Sequence, residues 1–207
     1  MNQRQKKKQM QIENKKLIER YPFLLPRNRW TGNIPKDYNY SYTELDAMPD
    51  GWRKAFGLLM CEDIKNVLIK ENFLYDYRIM DIKEKYGTLH WYDGGSTQEI
   101  ADIIANYEYI SGYTCIKCGK FNVDMFDDGW ISPYCDECFS HQRKMVNRNV
   151  ERFGGKVGDI DIEKYRCERG QFEVKRTITS YDKKREIKRE IDCTNILMRM
   201  QIKGYCY

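Results

Sequence analysis

Between Trp52 and Asn72 the apolar residues Phe56, Leu59, Met60, Ile64, Val67 and Leu68 recur at three- and four-residue intervals. That period predicts an amphipathic helix with one face against a core. After Phe73-Leu74-Tyr75 the pattern changes to period two, with Tyr77, Ile79, Asp81 and Lys83 on one side and Arg78, Met80, Ile82 and Glu84 on the other. With Leu89 and Trp91 beyond Tyr86-Gly87, this predicts a β-hairpin across residues 76–92 that turns at Gly87. Asp93-Gly94-Gly95 ends it, and Ser96 with Glu99 reads as the cap of a second helix whose buried stripe is Ile100, Ile103, Ile104 and Tyr107. Phe139, Val146, Val150 and Phe153 return to helical spacing before Gly154-Gly155. From Gly158 onward, Phe172, Val174 and Ile178, then Ile187 and Ile191, then Ile196, Met198, Met200 and Ile202 alternate with polar residues, which predicts a three-stranded antiparallel meander.

Upstream of the first amphipathic stretch the pattern is thinner. Residues 3–20 are rich in Gln, Lys and Glu, with Met10, Leu17 and Ile18 as sparse apolar marks, so a helix with little core contact is expected. Pro22 and Pro26 stop it and place Phe23, Leu24, Leu25 and Trp30 in an extended segment packed over the body. The loop that follows interleaves Tyr38, Tyr40, Tyr42 and Trp52 with Asp and Asn. Ser41 with Glu44 reads as a capping box there, and Asp50 as the cap of the next helix.

The chain has 207 residues, of which 41% are hydrophobic and 14% aromatic, enough for one sizeable core with appendages. No apolar run approaches the roughly 20 residues a bilayer requires, and no export signal opens the chain, so a reducing cytoplasm is the expected setting. The net charge of +5 sits on the head, where Arg4, Lys6, Lys7, Lys8, Lys15, Lys16 and Arg20 face only Glu13 and Glu19. The remainder is balanced. Three regions follow: a basic helix or disordered head over 1–20, an α+β core over 21–155, and the β-meander over 156–207.

Chemistry concentrates between Thr114 and Phe139. Two Cys-x2-Cys pairs, Cys115/Cys118 and Cys135/Cys138, are separated by sixteen residues, enough for a hairpin that brings four thiolates to one tetrahedral ion. Zinc is the expected metal. Four sulfurs leave no position for water, so the ion is structural, within a zinc module spanning 114–153. Because the second pair opens a helix, the module reads as a treble clef, where a plain zinc ribbon would continue as a strand. The fold class expected is therefore α+β: a helix–hairpin–helix core, a treble-clef or zinc-ribbon module, and the C-terminal meander.

His141 is a weak alternative ligand to Cys138, and His90 is an acid/base candidate that more simply belongs to an aromatic sheet face. Cys61 reads as a small core residue. No nucleophile motif, Gly-rich phosphate loop or paired acids are present, so the sequence leans away from an enzyme. Lys6, Lys7 and Lys8 on the head, with Arg143, Lys144 and Arg148 on the helix after the second pair, are nucleic-acid contact candidates. Asp124, Asp127, Asp128, Asp136 and Glu137 surround that module with acid, which favours a protein partner.

The segments YPFLLPRNRW, SYTELDAMPDGWRKAFGLLMCEDI, IKEKYGTLHWY, CIKCG and GWISPYCDEC together resemble a family of uncharacterised small proteins encoded by bacteriophages and prophages. The resemblance covers about residues 20–140. Members of that family often end the zinc motif with His in place of the last cysteine, which implies ligand roles for Cys115, Cys118, Cys135 and Cys138. It implies a phage setting and no activity. The expected function is a non-enzymatic, zinc-stabilised binding protein acting on a host factor, such as an inhibitor of host defence. The alternative is a nucleic-acid-binding regulator that uses the head and the helix after Cys138.

Overall fold

The computed structural model describes residues 2–167 and 183–202, with the backbone alone at 183–188 and 191. Helix α1, Gln3–Arg20, is capped by Asn2 and Gln5, each of whose side chains accepts the other's backbone N–H. Only Ile18 of this helix is buried. A 3-10 turn at Pro22–Leu24 buries Phe23 and Leu24, where an extended segment was expected, because Pro22 sits at the first helical position, where its fixed φ suits a turn and its missing N–H is not needed. Trp30 is the opposite of packed, at 95% exposure.

The main helix begins two residues earlier than its pattern suggested. It runs through α2, Asp50–Trp52, a π-helical segment, Arg53–Gly57, and α3, Leu58–Lys70. The wider π turn keeps Trp52, Ala55, Phe56, Leu59 and Met60 all facing the core. Asp50 lies in the helix rather than capping it, and the upstream capping box is formed by Thr43 and Asp46 instead of Ser41 and Glu44.

Strands β1, Ile79–Lys85, and β2, Thr88–Asp93, form the expected antiparallel hairpin. Tyr86 and Gly87 both take positive φ, 52° and 78°, the geometry of a tight hairpin turn. The alternation in β1 is broken. A register shift between Ile79 and Asp81 rephases the strand, so Ile79 and Ile82, predicted on opposite sides, are both buried. Helix α4, Gln98–Ser111, has Thr97 rather than Ser96 at its N-cap position, without a side-chain cap hydrogen bond, and the Ser96 hydroxyl donates to Asp93. It covers β2 and α3, and its Ile100, Ile104, Tyr107 and Ile110 complete the large core.

A second hairpin, β3 (Asp124–Asp127) with β4 (Ile131–Tyr134), leads into α5, Asp136–Arg152. Of the apolar positions that predicted α5, Phe139 is buried, whereas Val146, Val150 and Phe153 are exposed. The predicted meander is overturned where it is described: residues Lys183–Ile202 form helix α6. Cys193, Ile196 and Met200 enter the large core beside α4, and Met198 and Ile202 point outward. Positions 196 and 200 satisfy a period of two and a period of 3.6 alike, and packing against α4 selects the helix. The expected strand through Phe172, Val174 and Ile178 lies outside the described residues. Arg199 donates to both carboxylate oxygens of Asp63 at 2.8 Å, and Tyr107 donates to the same group at 2.6 Å, joining α6, α3 and α4.

Candidate metal centre

The first cysteine pair is built on the end of α4. Thr114 donates its hydroxyl to the Ile110 carbonyl, and the Thr114 carbonyl accepts the indole N–H of buried Trp52 at 2.7 Å. Cys115 N–H then donates to Lys120 O and Gly119 N–H to Cys115 O, closing a tight knuckle. Gly119 has φ +88°, and a Cβ there would lie 2.7 Å from the Gly51 carbonyl oxygen. A Cβ on Gly51 would in turn lie 2.2 Å from the Cys115 carbonyl oxygen. Two glycines thus let the knuckle lie directly on α2, and Gly51 N–H donates to Ile116 O across the contact.

The second pair arrives from β4. Ile116 N–H donates to Pro133 O, which sets β4 beside the knuckle and brings Cys135, the N-cap of α5, to the same place. Cys138 lies in the first turn. The four sulfurs all fall within 4.8 Å of one another, and Cys118 Sγ is 3.7 Å from Cys135 Sγ. Sulfurs about 2.3 Å from a central zinc define a tetrahedron with edges of roughly 3.8 Å, so the observed spacing fits an ion and is far too long for a disulfide. This set can hold a metal, and it is the one such cluster among the described residues.

The surroundings favour sulfur as an anion at one position and resist it at others. Burial opposes ionisation of Cys115, but the backbone N–H groups of Cys118, Cys135 and Lys117 turn the balance and lower its pKa. Burial and the neighbouring thiols push Cys118 up to about 11, and Cys138 is raised by the same causes. Four sulfurs this close repel one another as thiolates unless a cation sits among them. Lys120 N–H donates to Cys118 Sγ at 3.5 Å, a further polarised contact to sulfur.

No family model, curated protein or solved structure matches this chain.

Other residues singled out by the sequence are dispersed. His141 lies exposed on α5 and is not part of the sulfur cluster. His90 stacks on Tyr92 with ring centroids 6.0 Å apart and meets Thr88 Oγ1 at 3.3 Å. Cys61 is fully buried and its thiol pKa is raised by desolvation, as a core residue's should be. Lys6, Lys7 and Lys8 are exposed on α1, and Lys144 and Arg148 are exposed on α5. Arg143 is not available in the same way. Its guanidinium lies 4.6 Å over the Tyr165 ring, donates to the Tyr165 hydroxyl and pairs with Asp128.

Sequence reasoning missed Arg166. It donates to Asp124, Asp136 and Glu163 and lies 4.9 Å over the Phe126 ring, clamping β3, the start of α5 and residues 162–165 together. Of the acids expected to surround the module, Asp124, Asp128 and Asp136 are therefore paired with arginines within it. Gly51 and Trp52 also carried no chemical signal of their own, although they form the seat of the knuckle. Among the described residues no helix is long and apolar enough to cross a membrane.

Proposed function

We propose that the protein is a non-enzymatic binding protein stapled by a structural zinc ion, and that its module has the treble-clef arrangement. The observation that carries this is the four-sulfur cluster, whose donor set and 3.7 Å Cys118–Cys135 spacing suit a closed tetrahedral site. The order of knuckle, β3–β4 hairpin and second pair at the start of α5 supports the treble clef. When bound, the ion supplies folding free energy rather than an activated water. Its residues would be Cys115, Cys118, Cys135 and Cys138.

The resemblance to phage and prophage proteins supports a role in the bacterial cytoplasm as an accessory protein that inhibits or redirects a host factor. A protein partner is favoured by the exposed Val146 and Val150 on the outer half of α5 and Phe153 just beyond its end, with Phe153 86% exposed. Metal analysis of the purified chain, with retention of host proteins from a nuclease-treated lysate, tests the reading. Absence of stoichiometric zinc, or retention of nucleic acid alone, would refute it.

The second reading is nucleic-acid binding through the head and α5. The pairing of Asp124, Asp128 and Asp136 with arginines favours it, since it lessens repulsion of phosphates. Lys6, Lys7, Lys8, Lys144 and Arg148 would make those contacts, without Arg143.

A further inference from the structure

The β1–β2 hairpin buries one face, through Ile82 and Trp91, and turns the other outward. On that outer face the register pairs Asp81 with Tyr92, Lys83 with His90 and Lys85 with Thr88. His90 and Tyr92 stack at an interplanar angle of 17°. Lys83 Nζ is 4.9 Å from the Tyr92 ring centroid, and Lys85 Nζ is 5.3 Å from that of Tyr86, which is 69% exposed in the turn. Aromatic rings and cations therefore alternate along the strand pair, with ring positions on β2 two residues, or about 7 Å, apart.

The loop over residues 27–33 extends this face. Asn28 Oδ1 accepts the N–H groups of Trp30 and Thr31 at 3.0 and 2.9 Å, Gly32 N–H donates to Asn28 O, and Asn28 N–H donates to Asn33 O. This closed turn holds the Trp30 ring in solvent on a fixed backbone, at the cost of leaving a large apolar surface wet. Arg29 pairs with Asp81 at 2.9 Å, tying the loop to β1, and Arg27 donates to Gly32 O. Gly32, at φ +71°, lies flat on the Arg78 guanidinium, so close that a Cβ there would meet its Nη1 at 2.2 Å. Asp81, the carboxylate of this face, accepts both Arg29 and Lys83, so its charge is offset from two sides.

We propose that this surface is a docking platform for single-stranded nucleic acid. Trp30, Tyr92 and Tyr86 would stack on unpaired bases, and Arg29, Arg78, Lys83 and Lys85 would take the phosphates. Exposed rings with cations beside them suit a chain whose bases and phosphates also alternate. A duplex hides its base faces and cannot use the rings. This surface is distinct from the head and α5, and it stands whether or not a protein partner binds elsewhere.

The test is fluorescence anisotropy of a fluorescein-labelled oligothymidylate of about 15 nucleotides against the full-length protein, between about 50 and 200 mM salt. Expected are binding that weakens steeply with salt and losses of about five- to hundredfold for Trp30→Ala and for Tyr92→Ala. Lys83→Ala with Lys85→Ala should lower the salt slope by about 1.4. Trp30 is 95% exposed and Tyr92 42% exposed, so both variants should melt with the parent, which a thermal scan verifies. Three results would overturn the proposal: no binding at the lowest salt, equal affinity for the matching duplex, or binding indifferent to Trp30 and Tyr92 but abolished by Lys6, Lys7 and Lys8→Gln. Capture of a host protein that depends on Trp30, with no oligonucleotide binding, would also overturn it. Metal content and variants at Val150 report on the zinc-stapled protein-binding reading separately.

Discussion

Around Trp52, Phe56 and Tyr107, helices α3, α4 and α6 and the first hairpin exclude water with aliphatic and aromatic side chains in one continuous cluster. Around Phe126 and Phe139, among the described residues, only Cys115, Val123 and Tyr134 join them as buried hydrophobic residues. Phe126 and Phe139 stack at 4.2 Å, but a cluster this small buries too little apolar surface to hold a hairpin, a knuckle and a helix in place. The difference teaches where the metal matters. The large core can be stable on hydrophobic burial, whereas the small one needs the four cysteines and the Arg166 clamp, as small domains commonly need staples. The two meet at Gly51, Trp52 and Thr114.

The largest effect expected is from metal loss. Cys135→Ser, or a strong chelator, should cost the module several kcal/mol and open residues 115–167 to hydrogen exchange, while amides of α3 and α4 stay protected. Uniform loss of protection would show instead that the two cores fold as one unit.

Trp52→Ala comes next, at about 3–5 kcal/mol for a buried aromatic, with an added loss because the Thr114 carbonyl forfeits its donor. Denaturant melts measure it. Trp52→Phe should recover most of the packing and none of the hydrogen bond. Gly51→Ala sharpens the comparison further, since its Cβ would collide with the Cys115 carbonyl. It should lower metal affinity in a chelator competition while leaving α4 intact.

Within the large core, Tyr107→Phe removes the donor to Asp63 and should cost about 1 kcal/mol. If α6 is held mainly by that network, exchange protection at 193–200 falls first.

The smallest effect concerns Glu62, which accepts from Tyr21 and Arg20. The Tyr21 hydrogen bond, followed by Arg20, lowers its pKa below the ordinary glutamate value despite opposing desolvation. A depressed folded-state pKa contributes stability above the unfolded value and loses it as pH falls through the folded one. Melting temperatures of the parent and Glu62→Gln should therefore differ slightly near neutrality and converge in acid.

Much of this was legible without coordinates because it depends on local spacing. Two Cys-x2-Cys pairs, the Tyr86-Gly87 turn and the stripe Ile100, Ile104 and Tyr107 each state their geometry within a few residues. The tail was misread because Ile196 and Met200 fit strand and helix periods equally, and the choice rests on α4, far away in sequence. The phase of β1 was misread because a bulge leaves no mark on the apolar pattern.

Sequence alone thus determined the cysteine pairs, the two hairpin–helix units and the basic head, since each is set by periodicity or by the conformational limits of Gly and Pro. Tertiary structure alone decided that Gly51 seats the knuckle, that Arg143 and Arg166 are spent within the module, and that Trp30 stands in solvent on a loop that Arg29 ties to Asp81 of β1. Those outcomes rest on contacts between residues tens of positions apart. Their energies depend on which groups share a site, and no local pattern carries that information.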